Sequence, residues 1–496
     1  MDPYKAHPEK SHPTRLLHPI LTAAMIAVWL AVSSIPSMAE EGALPAQALL
    51  SQKPWQGDFE GMAERRLIRA LVVYSKTFYF LDGMQQRGAS YEMLKQFETF
   101  VNKKLKTKTL KVQIAFIPVK RDQLFPGLLK GLGDIAAANL TITPERLKQV
   151  DFSNPFFSDV KEVLVTGPSA PPVKRVEDLS GKKIHVRKSS SYYESLVQLN
   201  GAFKQAGKPR VKLVAADERF EDEDLLEMVN AGLIPMIVMD SHKAEFWEQI
   251  FDNIHVHPQI AVRTGGKIAW AFRKNSPKLK ALVNEFVKGH KKGTLIGNII
   301  LKRYLRNTKY VKNSVSEKEM EKFKSMVRLF KKYGTKYEFN YLMVAAQAYQ
   351  ESGLDQSKRS PAGAIGVMQL LPSTAADPNV GIPDIEKLEK NIHAGTKYLR
   401  FIVNRYYKDE PMDPVNKMLF AFASYNAGPA RVSSLRKKAE KMGLDPNVWF
   451  HNVEEAAARV IGRETVQYVS NIYKYYIAYR LSMDQYSEKE LLKKRQ

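Results

Sequence analysis

The sequence predicts an α/β half followed by a mainly α-helical half, and three observations carry that reading. Strand-like apolar runs alternate with helical spacing from Leu67 to about residue 305, the signature of a largely parallel sheet covered by helices. Three prolines between Gly167 and Pro172 (Pro168, Pro171 and Pro172) split that half into two lobes, roughly 66–165 and 175–260, with a return segment to about 305. Beyond Asn313, helical spacing recurs to about residue 482 with no strand pattern. With 496 residues, 44% of them hydrophobic and 26% charged, the chain has globular composition and enough length for more than one core.

The N-terminus addresses location. Lys10, Arg15 and His18 precede an apolar run from Ile20 to Val32, and Ser37-Met38-Ala39 follows. Small residues at 37 and 39 fit signal-peptide cleavage after Ala39. The run is shorter than the ~20 residues a membrane span needs, and a retained anchor is the alternative. The expected organisation is a signal peptide (1–39), an N-terminal arm (40–65), an α/β domain (66–305), a linker (306–319), a helical domain (320–482) and a tail (483–496). The absence of cysteine excludes disulfides, thiolate metal sites and a Cys nucleophile. A net charge of +24 favours an anionic partner. Export argues against nucleic acid and leaves an anionic envelope surface or cell wall.

Each element has its own signal. Leu67–Tyr74 reads as a strand. Met93, Leu94, Phe97, Phe100 and Val101 give helical spacing over Tyr91–Leu105, and Val112–Ile117 alternates as a strand does. Lys183–Val186 opens the second lobe's series, which includes the strand Met236–Asp240. Gly131-Leu132-Gly133-Asp134 imitates a dinucleotide fingerprint but follows a helix instead of a strand, so it is rejected. His255 and His257 alternate without a third ligand, so no metal or cofactor is expected. In the helical half Ser316–Glu319 forms a capping box. Met320, Phe323, Val327 and Phe330 follow it, and Gly334 is expected to end that helix.

The next helix carries the chemistry. Asn340 is a good N-cap, Tyr341–Ser352 is apolar nearly all round, and Gly353 is a stop. Glu351 therefore sits in the last turn of a buried helix. Burial and the negative end of the helix dipole both raise a carboxyl pKa there, and a Glu kept protonated near neutral pH suits a general acid. A Lys or Arg pairing with it would be the structural alternative.

Four blocks then bear a resemblance. Gln350–Gly353 with Ser360–Ala375, then Asn391, Gly395, Tyr398 and Leu399, then Ser424-Tyr425-Asn426-Ala427-Gly428-Pro429, then Glu464-Thr465, Tyr468-Val469 and Ile472 resemble, in order, the soluble lytic transglycosylase domain. The departures are mild: Val367 stands where Leu is commoner and Leu371 where Met often lies. The resemblance implies a lysozyme-like helical fold and cleavage of the MurNAc–GlcNAc bond of peptidoglycan glycan strands. It implies Glu351 as the one catalytic acid and base, with a 1,6-anhydro product. It implies that Ser352, Ser360, Gln369, Tyr425 and Asn426 line the saccharide cleft and that Tyr468 brings a hydroxyl near Glu351. Asp355 is expected to be a loop residue and Glu464 a structural one. A glycan-gripping sensor that does not cut, and a hydrolase giving reducing ends, are the rival readings.

The first half resembles the periplasmic solute-binding proteins for amino acids. Gly133–Ala138, Thr141–Arg146, Val150–Phe156 and Glu177–Lys183 carry that resemblance, and it extends over residues 66–305. It implies a two-lobed binding-protein domain, with Arg146 gripping a ligand carboxylate and Asp240 pairing with an amine. An amino acid or muropeptide ligand is the implied partner. The acidic residue usual in the first-lobe helix is replaced within Gly88–Glu92, which puts small-molecule binding in question. The order of the two halves resembles a family of membrane-bound lytic transglycosylases. That likeness implies a sensor domain controlling an enzyme in the periplasm, peripheral on the outer membrane.

Overall fold

The computed structural model describes residues 54–82, 85–314 and 317–493. The expected signal peptide and the capping box at Ser316 lie outside or at the edge of these residues. Residues 54–65 are more than an arm: Asp58 caps the helix Phe59–Glu64, and Arg65 lies over the Trp55 ring at 3.7 Å.

The first half is built on one nine-stranded sheet. In the first lobe β1 (Leu67–Val72) pairs in parallel with β2 (Gln113–Pro118) and β3 (Ile135–Thr141). β4 (Phe157–Thr166) then carries the chain into the second lobe. There β5 (Lys183–Val186), β6 (Lys212–Ala215) and β7 (Met236–Asp240) lie side by side, and β8 (His255–Phe272) returns. The order across the sheet is β2-β1-β3-β8-β4-β7-β5-β6, and the ninth strand, the two residues Asp151–Phe152, pairs with β8 off this path. The expected largely parallel sheet is thus a mixed one. β8 runs antiparallel to β3 and β4, and β4 antiparallel to β7. The reason is topological: the two crossings between lobes run in opposite directions and must pair with each other. β8 spans 18 residues with four register shifts against β4. Such irregularities bend a strand, as one serving two lobes requires.

The inner strands are apolar on both faces because helices cover both. Arg69 is the exception in β1. It is 1% exposed and pairs with buried Asp134 at 2.9 Å, which Arg65 and Arg273 also reach. The glycine turn before Asp134 therefore leads into β3 and builds this cluster. α1 (Ala89–Lys104) packs on the first lobe, and α2 (Ser191–Gln205) belongs to the second. The return helices α3 (Pro277–His290) and α4 (Leu295–Leu305) come back to the first lobe, where Phe286 meets Phe97 at 5.2 Å.

The helical half runs from α5 (Glu317–Lys336) through α6 (Tyr341–Ser352), α7 (Leu388–Ile402), α8 (Pro414–Ala427) and α9 (Pro429–Lys441) to α10 (Arg463–Lys493). α6 is buried from Leu342 to Ala348, as its all-round apolarity predicts. Gly334 does not end α5, which continues to Lys336. Its missing side chain serves packing: a Cβ there would lie 3.0 Å from the Phe339 carbonyl and 3.1 Å from Tyr341 Cα. The reversal after α5 falls to Glu338, at φ 55°.

α10 also joins the halves. β2 is an edge strand of the sheet, and α10 covers it, with the Gln113 side-chain amide donating to Ser470 Oγ. Arg66 Nη2 reaches Glu454 at 2.8 Å across the same joint. Covering an edge strand removes a row of unpaired backbone groups from solvent.

Candidate active site

α6 delivers Glu351 to the site. Asn340 caps its start, its Oδ1 accepting from Leu342 N at 3.0 Å, and Gly353 ends it in the left-handed region at φ 70°. Glu351 is left in the last turn, half-buried. Tyr468 on α10 donates to Glu351 Oε1 at 2.5 Å, and Gln347, one turn back on α6, donates to the Tyr468 hydroxyl at 3.1 Å. Among the described residues Oε2 receives no hydrogen bond.

Burial drives the electrostatics. It pushes the Glu351 carboxyl from 4.5 up to about 7, against the opposing effects of the Tyr468 hydroxyl and the Lys358 ammonium. The charged neighbour acting on Glu351 is thus a cation, and among the described residues no second carboxylate contributes. Asp355 turns away to cap its own loop, accepting from Ser357 N at 2.8 Å. Burial, then the Glu351 charge, hold Tyr468 far above the usual tyrosine range, so it stays a donor. Such a Glu can give a proton to a leaving oxygen at neutral pH and take one back.

The loop from Gly353 to Leu371 is held by its own polar groups. Ser352 Oγ donates to Val367 O at 2.9 Å and accepts from Asp355 N at 3.1 Å. Ser360 Oγ accepts from Ala364 N at 3.0 Å. Gln369, at φ 44°, donates to Gly366 O at 2.8 Å and Lys358 O at 3.2 Å. Asn391 clamps the loop to α7, accepting from Met368 N at 2.7 Å and donating to Ile365 O at 2.8 Å. Glycine is required at 395, where a Cβ would lie 2.7 Å from the Met368 side chain.

The Tyr-Asn-Ala-Gly stretch closes α8. Tyr425 donates to Met368 O at 2.8 Å, and the Glu351 charge adds to the burial that raises its pKa. Asn426 is exposed, and its Oδ1 accepts from Thr465 at 2.7 Å. The structure therefore brings Tyr468 and Tyr425 to Glu351. Ser352, Ser360 and Gln369 use their polar groups on the loop backbone. Sequence reading missed Gln347 and Lys358. Gln347 is four residues before Glu351, a helical spacing that could have flagged it. Lys358 returns through an irregular loop, donating to Glu351 O at 2.7 Å, and nothing in its spacing signals that.

In the first half Arg146 is 5% exposed and already occupied. Its Nε donates to Glu194 at 2.9 Å, Nη1 to Thr141 O at 3.1 Å and Nη2 to Ser189 O at 2.9 Å. Glu194 and Ser189 belong to the second lobe, so the ion pair crosses the cleft between lobes. A second pair, Arg121 with Glu221 at 2.6 Å, does the same. Asp240 accepts from Asn139 Nδ2 at 2.7 Å, and its buried Oδ1 has no partner among the described residues.

The raised pKa of Glu351 is also a stability statement. Below pH 4.5 the carboxyl is protonated in both folded and unfolded chains, and its charge costs nothing. As pH rises toward 7 the unfolded carboxyl ionises first, so the folded state loses stability; above 7 the loss is complete, at about 3 kcal/mol. Glu351→Gln is expected to be more stable than wild type by up to about that amount at pH 8 and nearly equal at pH 4. Denaturant melts at the two pH values check this.

Residues 328–447 match the Transglycosylase SLT domain, and residues 77–306 match the bacterial extracellular solute-binding proteins, family 3. The first match contains Glu351 and Tyr425, while Tyr468 lies beyond it; the second contains Arg146 and Asp240. A membrane-bound lytic murein transglycosylase F of Desulfosudis oleivorans is 29% identical over 80% of this chain and 86% of its own length. Proteins of the same name from Pseudomonas fluorescens and Shewanella halifaxensis are 27% and 29% identical, over 84% and 82% of this chain and 85% and 84% of theirs. Among solved structures, an ancestral arginine-binding protein bound to arginine aligns with 48% of this chain and 97% of its own at 23% identity and TM-score 0.40. The chain is thus similar, in order along its length, to the family 3 solute-binding proteins and to the Transglycosylase SLT domain.

Proposed function

We propose that this chain is a peptidoglycan lytic transglycosylase that works through Glu351, and that its first domain regulates it by binding a ligand. The observation that carries the reading is a buried Glu, raised to about 7, with a tyrosine hydroxyl on one oxygen and, among the described residues, no second acid acting on it. Hydrolytic glycosidases ordinarily need two carboxylates. One suffices when the substrate supplies the second nucleophile.

The steps balance with one proton shuttled. Protonated Glu351 gives its proton to the oxygen linking MurNAc to GlcNAc, and the bond from the MurNAc anomeric carbon to that oxygen breaks. The substrate's acetamido group stabilises the positive sugar centre. The Glu351 carboxylate then takes the proton of the MurNAc C6 hydroxyl as that oxygen bonds to the anomeric carbon. The 1,6-anhydro sugar forms, no water is consumed, and Glu351 is protonated again. Tyr468 stabilises the carboxylate between the two steps by a charge-assisted hydrogen bond. Tyr425 and Asn426 form the glycan-facing end of α8, with Ser352, Ser360 and Gln369 fixing the loop opposite. Such a substrate lies outside the cytoplasm. An exported chain of net charge +24, peripheral on the anionic outer membrane, fits that setting.

A ligand of the first domain meets an occupied anchor. Its carboxylate must displace Glu194 from Arg146, with Asp240 left to receive an amine.

Two measurements test this reading. Mass spectrometry of purified peptidoglycan digested by the full chain is expected to give muropeptides lighter by one water than hydrolytic ones, and Glu351→Gln to abolish them. Full-mass reducing ends would make it a hydrolase. Freeing Arg146 by Glu194→Gln is expected to strengthen binding of an amino acid such as L-arginine about tenfold or more by calorimetry. Unchanged binding would remove Arg146 from the ligand site.

A further inference from the structure

A cavity of about 320 Å³ lies between the two domains, apart from both Glu351 and the cleft between lobes. The first domain supplies Lys95 and Glu98 from α1 and Lys111 from the turn before β2; α10 supplies Arg463, Asn471 and Lys474. Four cations thus face one acid.

The acid is already committed. Glu98 Oε2 accepts from Ile114 N at 2.7 Å, and Oε1 accepts from Lys95 Nζ. Burial pushes Glu98 up, but Lys474, Lys95 and the Ile114 N–H overcome it and hold the carboxyl below its ordinary range. Lys111, Arg463 and Lys474 make no ion pair among the described residues. Lys474 is the most constrained: burial lowers it to about 8, with Glu98 opposing. Like charges gathered from two domains around one half-open cavity repel unless an anion sits among them. The rest of the wall suits an organic molecule. Gln467 donates to Asn471 Oδ1 at 2.8 Å, and Tyr91 and Tyr475 add aromatic surface.

We propose that this cavity binds a small organic polycarboxylate that bridges the two domains. Its carboxylates pair with Lys111, Arg463 and Lys474, and its carbon frame lies against the tyrosines. A volume of about 320 Å³ suits a small organic ion. Occupation also reaches the catalytic helix, because Asn471 Nδ2 donates at 3.1 Å to Gln350, the neighbour of Glu351.

The test is calorimetry on the full chain with citrate as the tricarboxylate probe and inorganic phosphate in parallel. Citrate is expected to bind at one saturable site, more weakly as salt rises. Lys474→Gln and Lys111→Gln should each weaken it about tenfold or more, while Arg146→Gln, in the cleft between lobes, leaves it unchanged. Lys111 lies at the domain surface, so its variant reports on binding even where Lys474→Gln disturbs the joint. No saturable citrate binding, or binding that both lysine variants leave unchanged, overturns the site. Saturable phosphate binding without citrate binding overturns the polycarboxylate assignment. Binding is read without turnover, so the result is independent of whether Glu351 cleaves glycan.

Discussion

The hydrogen bond from the Tyr468 hydroxyl to Glu351 Oε1 ties the protein together. Its acceptor stands at the end of α6, where a buried helix stops at Gly353 and leaves a carboxyl half in the protein interior. Its donor stands on α10, the helix that also covers the edge strand β2 of the first domain. A carboxyl this buried prefers to be neutral, and a tyrosine that donates to it stabilises the charged form. The two effects leave Glu351 near 7 instead of far above it. The proposed mechanism, in which Glu351 loses and regains a proton in one turnover, needs that balance.

The same helix makes the two domains one mechanical unit. One side of α10 presents Tyr468 to Glu351, and another presents Ser470 and Lys474 to the first domain. A change in the first domain that moves β2 or α1 therefore acts on the helix whose Tyr468 bonds the Glu351 carboxyl. Within the first domain, β4 and β8 tie both lobes into one sheet, and the ion pairs Arg146–Glu194 and Arg121–Glu221 hold the lobes together. The chain supplies the carboxylate that a ligand would otherwise bring. In the proposed function, regulation is a competition between Glu194 and a ligand for one guanidinium.

The parts legible in the sequence were those set by local physics. Asn340 and Gly353 bracket α6, and an all-round apolar helix must be buried, so the position of Glu351 and the direction of its pKa followed. Gly334 misled because a glycine that admits a close neighbour reads the same as one that ends a helix. The mixed sheet was hidden because strand direction depends on partners distant in sequence. Ser352, Ser360 and Gln369 were read as cleft residues from resemblance, yet hydroxyls and amides satisfy backbone as readily as sugar, and only the loop's path decides. Glu194 could not be foreseen, since its role depends on how the lobes meet.

The most direct measurement is a titration of the Glu351 carboxyl by ¹³C NMR, with Glu351→Gln to identify its signal. The account predicts a midpoint near 7 in wild type and a higher one in Tyr468→Phe, where the bond favouring the charged form is gone. A midpoint in the ordinary range of about 4, or one that Tyr468→Phe leaves in place, would contradict it.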